Sequence, residues 1–561
     1  MSLTRSEPGE PPFAPEPLSA MLVLPELVRP TFRGQPDLDR GHHWVILAAI
    51  VGVLAAALIY VVFSIYGDMT QSGSIVPSLA PYFAIFLALL IALSFEFING
   101  FHDTANAVAT VIYTHSLPPH AAVVWSGLAN LAGVLASSGA VAFAIIALLP
   151  VELILQVGRS DGIIMVFSLL FAAITWNLGT WYLGLPVSSS HTMIGSIIGV
   201  GVANALIYGR DGTTGVNWSR AVEIGYSLLL SPLFGFGIAG ALILAIRFGF
   251  GSDKIQPTAS DQPPPWRTRG ILVLTCTAVS FFHGANDGQK GMNLVMLILI
   301  GMIPNAYALN RSLSPSQIER FEATSKTASQ VIANKASGYD IIGDPRSAVE
   351  LYVSRHAIDE GTFPSLAILV RTVGEEFKQY GSIGRMPPSL VAEIRNDMYL
   401  VSESLRLLMR DRSSDLSADD IAKLRDYQRA LDQATKFIPL WVKIVVAIVL
   451  GAGTMIGWKR IVITVGERIG KARLSVAQGA CAEITAAATI AVADGFGLPV
   501  STTHVLSSGI AGTMTASGAG LQWRMVRNIL LAWVFTLPAA MILSGGLYWI
   551  LSRYLAAQLL R

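Results

Sequence analysis

Two aspartates and two runs of hydroxyls, arranged as matched pairs, are the groups in this 561-residue chain that could do chemistry. Gly184-Leu-Pro-Val-Ser-Ser-Ser-His191 and Gly497-Leu-Pro-Val-Ser-Thr-Thr-His504 share five residues and a final histidine, each between apolar stretches. Upstream of each lies an acidic segment, Gly100-Phe-His-Asp-Thr-Ala-Asn106 and Gly284-Ala-Asn-Asp-Gly-Gln-Lys290. Asp103 precedes His191 by 88 positions and Asp287 precedes His504 by 217, an excess of 129 that a polar block at about 309–436 accounts for. Duplicated polar, Gly/Pro-interrupted segments in two apolar halves are a sequence pointer to the binding site of a transporter.

The residue types suggest a division of labour. Pro186 and Pro499 suit the start of a helix, and the hydroxyls that follow, Ser188, Ser189, Ser190 and Ser501, Thr502, Thr503, are of capping type. Each copy is expected to open a helix whose first-turn N–H groups and hydroxyls face a cavity, an arrangement that binds anions. The bland alternative is that these hydroxyls only bond to helix backbone. Asp103 and Asp287, each expected at the end of a span, bring carboxylates to the same place, where charge is costly and usually functional. Their repulsion of an anion becomes useful if a cation or proton must neutralise them first, which links anion binding to ion loading.

The copies differ three residues on, where Asn106 is a neutral oxygen ligand and Lys290 a fixed ammonium. Asn106 suits a hard cation. Lys290 could replace one, or form an ion pair that only locks two helices. Glu96, Asn99, His102, Asn130, Asn177, His283 and Asn286 are polar residues in apolar surroundings, each read singly as a packed group. Glu483 stands out because no opposite charge lies within a helical turn of it. Substrate contacts are therefore expected from the six hydroxyls, Asp103, Asp287 and Lys290, and the coupling ion or proton from Asp103, Asn106, Asn286, Asp287, Glu483 and the motif histidines His191 and His504.

The elements that must position these groups are membrane helices. The chain is 52% hydrophobic and 14% charged with mean hydropathy +0.55, so it reads as an all-α polytopic membrane protein. Apolar stretches of about 20 residues give 10 to 12 candidate spans, the short ones touching the repeated motifs, which are expected to be broken or re-entrant helices. Residues 1–43 read as a disordered, Pro-rich tail without a signal peptide, and 44–79 as an extra N-terminal helix and loop. A first membrane repeat and the start of a second are expected over 80–308, and the remainder of the second over 437–561.

The block 309–436 carries 17 Lys/Arg against 18 Asp/Glu, with capping-box patterns at Ser314 and Ser417, and is expected to form about four helices outside the membrane. Its sole histidine, His356, reads as surface. A net charge of +2 without a basic stripe excludes nucleic acid as a partner, and Cys276 and Cys481 read as buried thiols. Neither a cofactor nor an enzymatic constellation is expected. Lys459, Arg460, Arg468, Lys471 and Arg473 favour a cytoplasmic side for their own short stretch.

At Phe97-Ile-Asn-Gly-Phe-His-Asp-Thr-Ala-Asn106, His283-Gly-Ala-Asn-Asp-Gly-Gln-Lys290, Trp176-Asn-Leu-Gly-Thr-Trp181, the two Pro-Val-Ser segments and Ala532-Trp-Val-Phe-Thr-Leu-Pro538, the chain resembles the inorganic phosphate transporter (PiT) family, in its bacterial form. The resemblance covers 80–308 and 437–551. It implies two inverted-topology repeats and symport of inorganic phosphate, free or as a neutral complex with a divalent metal, with protons or sodium. It also implies residence in a bacterial inner membrane. The second signature commonly has Asn where this chain has Lys290, a departure that favours protons. Homo-oligomerisation and a metal site are left open. Sulfate permease and phosphate-binding membrane receptor are the rival readings.

Overall fold

The computed structural model describes residues 36–38, 44–74, 78–103, 105–149, 160–251, 263–336, 343–355, 357–411 and 415–559. The tail expected over 1–43 falls, apart from 36–38, outside the described residues, as does His356. Helices dominate, and among the described residues the sole β pairing is an isolated bridge between Gly470 and Leu521.

The first half contains α1 (Trp44–Gln71), α2 (Ala80–Asp103), α3 (Ala105–Tyr113), α4 (Pro119–Ala136), α5 (Ala140–Ile146), α6 (Ser160–Tyr182), α7 (Ser189–Ile207), α8 (Trp218–Phe250) and α9 (Trp266–Met302). A polar group of helices follows: α10 (Pro315–Lys335), α11 (Pro345–Arg355), α12 (Thr362–Tyr380), α13 (Pro388–Leu408) and α14 (Ala418–Thr435). The chain then continues through α15 (Leu440–Met455), α16 (Val476–Gly495), α17 (Thr502–Ser517) and α18 (Trp523–Leu559).

Eight described helices are long and apolar enough to cross a membrane, taking α2 and α3 as one, or nine if the bent pair α14–α15 is added. Large apolar side chains on them face outward, such as Phe63 (70% exposed) and Ile542 (73% exposed), as lipid contact requires. The chain is a multi-pass membrane protein. The count is below the expected 10 to 12 for two reasons. The expected spans 268–282 and 291–308 are fused in α9, 37 residues without a break, which is not among the eight, and α15 and α17 have 16 residues each. The break expected at Gly284–Lys290 is thus not found, and Asp287 stands in mid-helix rather than at the end of a span. The two Pro-Val-Ser motifs do lie at helix starts.

The two Pro-Val-Ser loops have nearly the same backbone. Gly184 and Gly497 adopt φ of +65° and +66°, a left-handed turn that favours glycine. Ser188 and Ser501 then cap α7 and α17, accepting from the N–H groups of His191 (3.2 Å) and His504 (3.1 Å). Packing is reciprocal: α7 lies along α18, and α17 lies along α8. Each motif helix therefore packs on the long helix that follows the other motif. The contact is backbone to backbone, since a Cβ on Gly199 would stand 2.2 Å from the Met541 oxygen and one on Gly512 2.2 Å from the Phe236 oxygen.

Two apolar cores result. One gathers the start of α2, the end of α9, α6, α7 and α15; the other gathers α3, the start of α9, α16 and α17. The polar stretches Glu96–Asp103 of α2 and His283–Lys290 of α9 fall between these cores, and that is where the site lies.

Residues 315–435 have a core of their own, with Phe321, Phe377 and Tyr427 in contact. Five helices form there rather than four. Capping boxes start α10 (Ser314, Gln317) and α14 (Ser417, Asp420), and Arg346 clamps Asp397 at 2.6 and 2.8 Å, tying α11 to α13. Burial raises the Asp397 pKa and the Arg346 guanidinium opposes that rise.

Candidate functional site

The duplicated residues converge. Asp103 of α2 accepts from Ser189 Oγ at 2.5 Å and from Thr503 Oγ1 at 2.6 Å, one hydroxyl from each Pro-Val-Ser segment. Its neighbour His102 lies 3.5 Å away. On α9, Lys290 Nζ is 2.7 Å from Asp287 Oδ2 and donates to Ser189 Oγ at 3.0 Å. His283 Nε2 is 3.4 Å from the same aspartate oxygen, and His283 Nδ1 lies 2.7 Å from Asn130 Oδ1. All of these side chains are buried. The Asp287–Lys290 pair is intrahelical, so the reading of Lys290 as a lock between two helices is corrected; its reach across the site goes to Ser189.

The six hydroxyls are not equivalent. Ser188 and Ser501 are spent on caps, and Ser190 donates to the Val500 carbonyl at 2.9 Å, stitching one loop to the other. Ser189 and Thr503 serve Asp103. Thr502 is buried, and its hydroxyl has no hydrogen-bond partner among the described residues. His191 and His504 lie with ring centroids 4.6 Å apart and planes tilted by 40°, and His504 stacks in turn on Trp533 at 3.9 Å. Asn286 donates to the Leu498 carbonyl at 3.2 Å, which fixes the second loop against α9. Glu483 sits on α16, where it accepts from Thr110 of α3 and Thr275 of α9, with no opposite charge bonded to it among the described residues. The side chain of Asn106 lies outside the described residues.

Atoms of Asp103, His283 and Asp287 come within 4.8 Å of one another, spacing that could serve a metal ion. Asp103 already accepts two hydroxyls and Asp287 already holds an ammonium, which leaves these oxygens partly engaged toward a metal. His283, Asn130 and Glu96 read from the sequence as packed groups, yet His283 and Asn130 are bonded to each other beside Asp287. The signal for His283 was its spacing to Asp287: four residues puts both side chains on one helical face.

Fold and site define a multi-pass membrane protein with a buried charged cluster assembled from two copies of one motif set. A model of the phosphate transporter family matches residues 99–267 and 251–544. The low-affinity inorganic phosphate transporters PitA and PitB of Escherichia coli are each 41% identical to the chain over 489 and 488 residues. Those alignments cover 84% and 83% of this chain and 97% and 96% of theirs. A probable low-affinity inorganic phosphate transporter of Bacillus subtilis is 26% identical over 467 residues, covering 83% of this chain and 96% of its own. A solved structure described as the sodium-dependent phosphate transporter aligns with 84% of this chain and 99% of its own, at TM-score 0.46 and 19% identity. The chain belongs to the phosphate transporter family, whose members matched here are transporters and not enzymes.

Proposed function

We propose that the chain is a secondary-active symporter of inorganic phosphate, driven by protons, that works by alternating access between two inverted-topology repeats in a bacterial inner membrane. The observation that carries this reading is Asp103, which holds a hydroxyl from each of the two Pro-Val-Ser segments while Lys290 reaches the same Ser189. Phosphate, as the free anion or complexed with a divalent metal, competes for these donors: Ser189, Thr502 and Thr503 hydroxyls, first-turn N–H groups of α7 and α17, and the Lys290 ammonium. Hydrogen phosphate can itself donate to Asp103 or Asp287. Sulfate at neutral pH cannot, and this difference supports phosphate over sulfate.

Uptake of labelled phosphate into proteoliposomes tests the reading. Accumulation on an inside-alkaline pH gradient in sodium-free buffer, uncompeted by excess sulfate, is the expected result. Phosphate binding without uptake would make the protein a receptor, and equal competition by sulfate would make it a general oxyanion permease.

A further inference from the structure

Glu96 lies on α2 two turns before Asp103, is 0% exposed, and has neither carboxylate oxygen hydrogen-bonded to a described protein group. Asn99, one turn on, is the side-chain donor nearest to it, and no hydrogen bond of ordinary geometry joins the two. The carboxylate is packed on the backbone of α9: a Cβ on Gly291 would stand 2.7 Å from Glu96 Cδ and Oε2. Gly291 follows Lys290, so the absent side chain leaves room for a third carboxylate beside the charged cluster.

The charges that face Glu96 are Lys290 and Asp287 from α9 and Asp103 from its own helix. His283 of α9 is turned to Asp287 and Asn130, and His102 of α2 lies beside Asp103. Of the other helices packed on α2, α15 has Lys443, which donates to the Ser137 carbonyl at 2.7 Å. Helix α7 has His191, packed against the His504 ring, and α3 has Tyr113, which donates to Glu467 at 2.6 Å. Helix α6 offers the exposed Tyr182 and Asp161, whose side chain lies outside the described residues.

Three carboxylates therefore face one ammonium, and that ammonium is already 2.7 Å from Asp287. With all three ionised, two negative charges are uncompensated in a buried site, at a cost of several kcal/mol per ion. An arriving phosphate anion adds to the repulsion. Asp103 has two hydroxyl donors and Asp287 has Lys290, so each is compensated as it stands. Among the described residues Glu96 has only the neutral Asn99 amide beside it, with no cation or hydroxyl bonded to it. Resting on the reading of the chain as a proton-coupled phosphate symporter, we infer that Glu96 is the binding site of the coupling proton. The Glu96 carboxylate takes one proton from the aqueous phase on the loading side, which removes one negative charge and admits phosphate. After phosphate has left on the other side, the O–H bond breaks, the proton passes to water, and the restored carboxylate repels rebinding.

Glu96→Gln, isosteric and permanently neutral, tests this in proteoliposomes with two assays. The variant is expected to keep phosphate-for-phosphate exchange near the unmodified rate, because the site is held in its loaded charge state, and to lose accumulation on a pH gradient. Accumulation equal to that of the unmodified protein overturns the inference. So does a folded variant, judged by a retained phosphate-dependent thermal shift, that loses exchange as well. If Glu96→Gln does not fold, Glu96→Asp decides: a shifted pH dependence of uptake is expected, and an unshifted profile overturns the role. Absence of exchange, or strict sodium dependence, in the unmodified protein would instead refute the symport reading itself.

Discussion

Ser189 Oγ donates to Asp103 Oδ2 at 2.5 Å across 86 positions of chain, and the same oxygen accepts from Lys290 Nζ at 3.0 Å. A hydroxyl has one hydrogen and two lone pairs, so this serine is oriented from both sides. With Thr503 also on Asp103, one carboxylate gathers the first and second Pro-Val-Ser segments. In the proposed function an entering anion exchanges places with these bonds, so its arrival would be felt by both Pro-Val-Ser segments at once.

Ser189→Ala removes a hydrogen bond to a charged group, worth about 1.5–3 kcal/mol, and should raise the half-saturation constant for phosphate roughly tenfold to a hundredfold. Thr502→Ala and Ser501→Ala should part company, because the Thr502 hydroxyl has no partner among the described residues whereas Ser501 caps α17. The first should weaken uptake without lowering the melting temperature. The second should cost about 1 kcal/mol of stability. Concentration dependence of uptake and thermal unfolding in detergent, measured side by side, check the contrast.

Asp103→Asn keeps the shape of the side chain while removing the charge that both hydroxyls serve. Uptake should be abolished with normal membrane insertion, as measured by quantitative immunoblot and transport in the same vesicles. Near-normal transport would make the acid structural.

Much of this site was legible in the sequence because duplication marks residues that composition alone cannot. The caps at Ser188 and Ser501 follow from Pro-Val-Ser at a helix start, and the meeting of the motifs follows from their being paired. The mid-helix position of Asp287 was not legible. Gly284, Gly288 and Gly291 around it read as a break, yet α9 runs on, its backbone packed tightly against Asn130, Val134 and Glu96 at those three glycines. Glu96 was hidden for the same reason: its environment is made by Gly291, far away in the chain. The division of the six hydroxyls into caps, stitches and site donors depends on a rotation of one residue between α7 and α17, so that Ser189 pairs with Thr503 and not with Thr502. No single-chain pattern encodes that offset.

Gly199 and Gly512 set how closely α7 and α17 approach α18 and α8. Replacing either with Ala puts a methyl group 2.2 Å from a backbone carbonyl, which the helices can relieve only by moving apart. Each variant should lose transport and melt lower, with a cost of about 1–3 kcal/mol. Gly52→Ala on α1, where nothing lies within 4 Å, should be neutral in both measurements.

The five-helix unit at 315–435 should respond to acid through its caps. The Asp420 carboxyl is held below its ordinary range, first by the hydrogen bond from Ser417. A lowered folded-state pKa stabilises above the unfolded value and loses that contribution as pH falls through the folded one. Amide exchange at the start of α14 should therefore quicken below about pH 4. Ser417→Ala, which removes the cap, should raise exchange there at every pH by an amount equivalent to about 1 kcal/mol.

We propose that Lys290 sets which ion drives transport. Its ammonium is fully buried, 2.7 Å from Asp287 and 3.0 Å from Ser189, so it already supplies the positive charge that a bound sodium would bring. Uptake should run on a pH gradient alone, and a protonophore should collapse it. Lys290→Met leaves Asp287 as an uncompensated buried charge and should destabilise by about 3–5 kcal/mol, whereas Asp287→Asn combined with Lys290→Met should recover most of that loss, because removing both ends of a buried pair is far less costly than removing one. Lys290→Arg should fail to transport, since a planar fork does not replace a compact ammonium between two oxygens. Lys290→Asn places a neutral oxygen ligand beside Asp287 and should either abolish uptake or make it depend on an added monovalent cation. Sodium titration of uptake in the unmodified protein and in Lys290→Asn separates the cases: a sodium requirement in the unmodified protein would assign Lys290 to structure alone.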